Sequence, residues 1–284
     1  MIRRIAATTA FVALAVTAAP LVAQAPAGLK FMELGKGPTI VLVSGLGGAR
    51  LQWMPTTRKL MTNYRVVMVD IPGHGDSPMP DPFSFDAAAK LLDDLLARQK
   101  AESTIVVGHG MGGVLAILAA KQHPEHVRGV VAIDASLKTP FGAVPDQERR
   151  YLLEFIDSSP ENYSMFVKEM FTRMGRDTTQ GREIHAKAAL VPPPNMKAYI
   201  KELAYFDATG AVRDWKLPFL YLASSRAWPD TVKAEQLQKD RGFEAIAGFA
   251  PHRIANASFL VMSDQPDSLA VAISEFATRA FAKK

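Results

Sequence analysis

The stretch Val106-Val107-Gly108-His109-Gly110-Met111-Gly112-Gly113 (VVGHGMGG) decides the reading of this chain. It begins at the end of an apolar run, STIVVGH, whose β-branched residues favour an extended strand. It leads into GGVLAILAAK, whose alanines and leucines favour a helix. Glycines at 108 and 112 let strand and helix approach closely, and Gly110 relieves the strained backbone expected of the turn between them. The implied local structure is a strand that turns sharply into a helix.

The same alternation extends outward in both directions. PTIVLVSG (Pro38 to Gly45) and YRVVMVD (Tyr64 to Asp70) are short apolar runs ending at turn residues, with an amphipathic stretch from Leu51 to Met61 between them. A helical segment from Phe85 to Gln99 follows, and beyond the opening stretch come a helix from Gly112 to Lys121 and the strand VRGVVAIDAS. Strands this apolar on both faces belong to a parallel sheet covered by helices. From Leu137 to about Asp214 the rhythm stops, and YLLEFIDSSPENYSMFVKEMFTRMG and LVPPPNMKAYIKELAYFDATG read as helices broken by loops. Strands resume at LPFLYLAS (Leu217 to Ser224) and HRIANAS (His252 to Ser258), and a last helix spans Pro266 to Phe281. The fold class is therefore α/β: a mostly parallel central sheet flanked by helices, with a helical cap inserted after the strand ending near Ser136. The expected organisation is a leader at 1–25, a first core part at 26–136, the cap at 137–214 and a second core part at 215–284.

Composition narrows the class. In 284 residues, 48% hydrophobic, there is material for a sizeable core. Arg3 and Arg4, an uncharged run from Ile5 to Val22, and small residues at Ala23 and Ala25 have the layout of a secretory signal peptide, so an exported, periplasmic or secreted protein is expected. A membrane anchor is the alternative if that leader is not cleaved. Loss of the two arginines with the leader lowers the net charge from +5 to +3. With no basic run interleaved with aromatics, nucleic-acid binding is not expected. The absence of cysteine excludes disulfides and thiolate zinc sites.

Four motifs occur in a telling order: ELGKGPTIVLVSGLGG, VMVDIPGHGDSP, VVGHGMGG and IANASFLVMSDQP. Together they resemble the α/β-hydrolase superfamily, across nearly all of Leu29 to Phe281 outside the cap. The resemblance implies a serine nucleophile in G-x-S-x-G, a histidine base and an acid that orients it. Here the nucleophile position falls on Gly110, between His109 and Met111, and the histidine position falls on Phe259. His252, seven residues before Phe259, is expected to start a strand and point away from the site. Arg226 or Ala227 occupies the usual place of the acid, which leaves Asp230 and Asp134 as acid candidates. Each also has a plainer role, as a helix N-cap for Asp230 and a strand-end hydrogen-bond partner for Asp134.

What the resemblance keeps is the oxyanion hole, assigned to the backbone N–H groups of Leu46 and Met111. Ser44 stands where that loop often has histidine; it adds a hydroxyl near the expected pocket but lacks an evident base. His74, Asp76 and Ser77 read as scaffold. Met165, Phe166, Met170, Phe171 and Met174 recur at helical spacing, either as core or as the wall of an adaptable apolar pocket, so Ser44, Met165, Phe166 and Met170 are the expected pocket residues. His123 and His126 could share one face, but without a visible third ligand no metal is expected, and no cofactor.

The expected function is that of an exported family member, inactive or atypical as an enzyme, which binds a small apolar or acyl-like molecule between core and cap. One alternative is an active esterase-like hydrolase, or a related enzyme of the fold, using Asp230, Asp134 or Ser44. Another is a noncatalytic protein-interaction module presenting the cap surface. Fold alone does not choose among them.

Overall fold

The computed structural model describes residues 28–282, so the leader reading at 1–25 lies outside the described residues. Seven strands form one sheet: β1 (Phe31–Leu34), β2 (Thr39–Val43), β3 (Arg65–Val69), β4 (Thr104–His109), β5 (Val130–Ile133), β6 (Phe219–Ser224) and β7 (His252–Ile254). Their spatial order is β1-β3-β2-β4-β5-β6-β7, with β1 antiparallel to β3 and every other pair parallel. Along β2, Val41 and Val43 enter one hydrophobic cluster while Ile40 and Leu42 enter the other. Successive side chains thus serve opposite faces, and both faces are dry, as the apolar runs imply.

Helices cover the two faces. On one, α1 (Met54–Leu60) packs against α10 (Pro266–Ala282); on the other, α2 (Phe85–Leu96) packs against α3 (Met111–Gln122). The chain leaves β2 for β3 on one side and returns to β4 on the other, so the carboxyl ends of β2 and β4 flank the topological switch point. Open α/β sheets bind ligands in the crevice at that point. The loops there are SGLGG after β2 and the Gly110 turn after β4.

Between β5 and β6 lie four helices, α4 (Asp146–Ser158), α5 (Pro160–Thr172), α6 (Thr178–Ala188) and α7 (Pro193–Ala204). Ser159 and Asp177 cap α5 and α6, accepting the N–H groups of Asn162 at 3.1 Å and Gln180 at 2.8 Å. An isolated antiparallel bridge between Lys138 and Asp207 brings the two ends of this insertion together. No helix among the described residues is long and apolar enough to cross a membrane.

Several elements differ from their sequence reading. β7 stops at Ile254 because Asn256 turns the chain with φ 55°, and β5 stops at Ile133 because Asp134 has φ 49°. β1 carries no apolar alternation, since three of its four residues are exposed on the sheet edge. α8 (Ala234–Arg241) and α9 (Val261–Asp264) are short and equally silent in the periodicity.

The Gly112 backbone is what lets α3 approach β2. A Cβ there would stand 2.6 Å from the Val43 carbonyl oxygen and closer still to that of Ser44, both fixed backbone atoms. Gly112→Ala is therefore expected to cost about 3 kcal/mol by overpacking. Urea unfolding measures this, and a loss below about 0.5 kcal/mol, the ordinary surface range, would contradict the close approach.

Candidate functional site

Gly110 joins β4 to α3 with φ 51° and ψ −117°, a conformation that side-chain-bearing residues occupy only under strain. Its N–H donates to the Ile133 carbonyl at 2.8 Å, and its own carbonyl accepts from Gly113 at 3.0 Å and Val114 at 3.2 Å. The turn is thus fixed on both sides, and it has the geometry of a nucleophile elbow. A Cβ at Gly110 would meet only the Phe259 ring, at 3.6 Å and 3.8 Å. Glycine is favoured there by the backbone angle and not by lack of space.

The oxyanion side of the site is equally fixed. Among the described residues, neither the Leu46 nor the Met111 N–H donates to a protein acceptor. The loop carrying Leu46 is held by Ser44 Oγ–H, which donates to the Val69 carbonyl at 2.9 Å, and by Gly47 N–H, which donates to His74 Nε2 at 3.0 Å. His74 Nδ1 faces the Pro72 carbonyl at 3.1 Å, so the imidazole is neutral with its proton on Nδ1. Burial lowers its pKa to about 4, consistent with that state. Tyr199 of α7 donates to the same carbonyl at 2.9 Å and packs edge-on against the His74 ring. The scaffold reading of His74 thus acquires a specific content, that of pinning the loop that presents Leu46.

Opposite Gly110 lies Phe259, whose ring meets the buried His109 ring at 4.3 Å, inclined by 64°. The loop bearing it is tied down by its neighbour. Ser258 donates N–H and Oγ–H to Asp264 at 2.8 Å and 2.6 Å, and Asp264 also accepts from Gln180 Nε2 at 2.7 Å and Arg176 at 2.6 Å. This knot joins the Phe259 loop to α6 and the turn before it.

Asp134 sits at the end of β5, a half-buried residue whose Oδ1 accepts the Ser224 N–H at 2.8 Å. Its Oδ2 is buried with no hydrogen-bond partner among the described residues. Burial raises its pKa to about 6, against the weaker opposing effects of that hydrogen bond and Arg241.

A cavity of about 540 Å³ collects many of these groups, lined by Leu46, Gly110, Met111, Asp134 and Phe259 from the core, by Met170 from α5 and by Met174 from the turn after it. No histidine lines it among the described residues. Its two hydroxyls are committed to carbonyls, Ser136 Oγ to Lys138 at 3.0 Å and Thr139 Oγ1 to Leu203 at 2.7 Å.

The other sequence-based candidates are not brought into this cavity. Asp230 is 85% exposed and pairs with Arg253, because its loop runs outward after β6. Ser44 spends its hydroxyl on Val69 within the fold, so it is neither a pocket residue nor a displaced nucleophile. Met165 is 57% exposed: five residues from Met170, it is rotated about 140° around the helix. Phe166 lies one turn before Met170, half-buried against the core, and does not line the cavity. His252 is exposed at the start of β7. The sequence reading omitted Lys138 and Arg241, which also line the cavity; position after the β5 turn could have suggested Lys138, whereas nothing local marks Arg241.

Comparison with known proteins gives a consistent picture. The family described as "alpha/beta hydrolase fold" matches residues 38–168. The RutD protein of Stutzerimonas stutzeri, named as a candidate carbamate hydrolase, is 31% identical over 200 residues, 66% of this chain and 73% of that protein. The biotin biosynthesis bifunctional protein BioHC of Cellvibrio japonicus is 25% identical over 246 residues, 84% of this chain, but the chain spans only 47% of its length. Among solved structures, a thermophilic esterase from Thermogutta terrifontis, with malate bound, has a TM-score of 0.72 at 21% identity, covering 89% of this chain and 94% of that one. That last likeness is one of fold.

Proposed function

Because the chain belongs to the α/β-hydrolase family, we propose that it is an exported member that has lost Ser-His-Asp turnover and binds a small apolar, acyl-bearing molecule in the cavity over Gly110. The observation that carries this reading is the composition of the cavity wall. It pairs two free backbone N–H groups, those of Leu46 and Met111, with Phe259 and two methionines, and among the described residues offers neither a free hydroxyl nor an imidazole. A carbonyl or carboxylate oxygen fits the N–H pair, as an oxyanion would. Thioether and aromatic side chains adapt to an alkyl chain. Export is supported by the Arg3-Arg4 and Ile5–Val22 leader pattern.

Asp134 favours a second reading. A buried carboxyl with a pKa near 6 and one unpaired oxygen, on the wall of the same cavity, has the properties of a general acid–base group. In this reading the chain is an atypical enzyme of the fold.

One experiment separates the two. Protein recovered from the periplasmic fraction is titrated with dansyl-labelled undecanoic acid and assayed with p-nitrophenyl butyrate. The expected result is binding in the micromolar range, weakened at least about tenfold by Met170→Glu, which sets a carboxylate against the alkyl chain on the methionine side of the wall. Esterase turnover of about 1 s⁻¹ or more by the unmodified protein would overturn the binding reading. Loss of that turnover in Asp134→Asn would establish the second.

A further inference from the structure

Twelve residues from Gly110, at the far end of α3, a second cluster of chemically competent side chains stands about 18 Å from the cavity. Asp93 lies on the inward face of α2, with only 6% of its side chain exposed. His123 ends α3, and His126 closes the short turn after it. Asp93 Oδ1 meets His126 Nδ1 at 2.6 Å, and its Oδ2 lies 3.7 Å from His123 Nε2. The three ligand atoms fall within 4.8 Å of one another, and no other such group occurs among the described residues. The acid that the two histidines lacked in the sequence comes from a different helix, 33 residues before His126.

Three details favour a cation over a set of plain ion pairs. A carboxylate this buried needs a compensating charge, and among the described residues no lysine or arginine comes within salt-bridge distance of Asp93. Charging both histidines instead would set two like charges face to face, because their rings stack at 5.0 Å and 19°. One divalent ion satisfies the carboxylate while leaving both rings neutral. Second, the 3.7 Å gap to His123 is too long for a hydrogen bond but close to the separation of about 3.3 Å between two ligands on a tetrahedral cation. Third, His123 Nδ1 faces Glu125 Oε1 at 3.1 Å. An N–H donated there leaves the Nε2 lone pair directed at Asp93, the carboxylate–histidine arrangement that orients metal-binding imidazoles.

We propose that Asp93, His123 and His126 form a binding site for a late first-row divalent cation, zinc foremost, with Glu125 orienting His123. Imidazole and carboxylate donors suit zinc, and three protein ligands leave a fourth position for water. His123 is half exposed, which gives the ion a path in. Since Asp93 belongs to α2 and the histidines to the end of α3, the bound ion clamps the two helices on that face of the sheet.

The test uses tag-free protein, treated with EDTA, desalted and titrated with zinc chloride. Bound zinc is counted by mass spectrometry after gel filtration, affinity is read by calorimetry, and cobalt chloride reports ligand geometry by its visible absorption. One zinc per chain is expected, with His123→Ala and His126→Ala each weakening binding about a hundredfold and Glu125→Gln about tenfold. Both imidazoles are partly exposed, so these variants keep the buried Asp93 in place; circular dichroism checks their folding. Changing His185 and His252 to alanine should leave zinc affinity unaltered. Binding far below one zinc per chain, or an affinity unchanged in His123→Ala, would overturn the site and leave Asp93 as an ion-pair partner.

Discussion

Gly110→Ser is expected to fold, yet to hydrolyse p-nitrophenyl butyrate within about tenfold of the unmodified protein, because an unassisted serine hydroxyl is a weak nucleophile. Space is available for the new side chain, whose nearest neighbour would be the Phe259 ring at 3.6 Å. The cost is conformational, about 1–2 kcal/mol for an L-residue at this positive φ. What the serine lacks is a base: Phe259 stands where the family resemblance implies histidine, and no histidine lines the cavity among the described residues. Removing one triad member can cost on the order of 10⁶ in kcat, about 8 kcal/mol of barrier, so restoring only the nucleophile recovers little. Adding Phe259→His should raise the rate at least about a hundredfold above either single variant, the lower range for a positioned general base. Steady-state kinetics of the three variants decide the matter. Vigorous turnover by Gly110→Ser alone would mean that another group, with Asp134 the first suspect, already acts as base.

Acidification from pH 7 to pH 4 should lower the unfolding free energy by about 3 kcal/mol, through groups that the fold holds neutral. His74 and His109 are buried, and burial lowers both pKa values from 6.5 to about 4. Above pH 6.5 they are neutral in the folded and unfolded chain alike. Between 6.5 and 4 the unfolded chain takes up protons that the fold refuses, so stability falls as pH falls, by about 3 kcal/mol for each imidazole. Asp134 acts in the opposite direction. Its pKa is raised from 3.8 to about 6, so the fold keeps a proton that the unfolded chain has lost, and acidification through that window favours the fold. This offsets about one of the two imidazoles, leaving a net loss of about 3 kcal/mol; Asp70, also raised by burial, reduces it somewhat. Asp134→Asn removes the offset and should steepen the acid loss. Urea unfolding at pH 7, 5.5 and 4 reads both effects, and a flat profile for the parent would contradict the neutral buried imidazoles.

The sheet was legible wherever burial on two faces left a continuous apolar run, as in Ile40 to Val43 and Ile105 to Val107. It was not legible at β1, an edge strand with three exposed residues, nor at the end of β7, where a single backbone angle at Asn256 stops the strand. The elbow was readable because close packing at Gly108 and Gly112 restricts those positions to glycine. Sequence distance proved a poor guide to the rest of the site. Asp230 lies six residues beyond β6 and faces solvent, whereas Asp134 is placed by strand order beside the elbow. Helical spacing grouped Met165 with Met170 and Met174, but only the latter two share the cavity face. Asp93 was invisible as a partner of His123 and His126 because only the packing of α2 on α3 joins them.

The knot around Asp264 couples the insertion to the loop that supplies Phe259 to the cavity wall. Gln180 and Arg176 belong to the insertion between β5 and β6, while Ser258 precedes the phenyl ring that faces Gly110. Lifting α6 takes the Gln180 donor from the buried Asp264 carboxylate and the Gln180 acceptor from Ser258 Oγ, so the Phe259 loop then loses its tie to that helix. The helix and the loop should therefore exchange their amide hydrogens as a single cooperative unit, opening and closing together although about eighty residues of chain separate them.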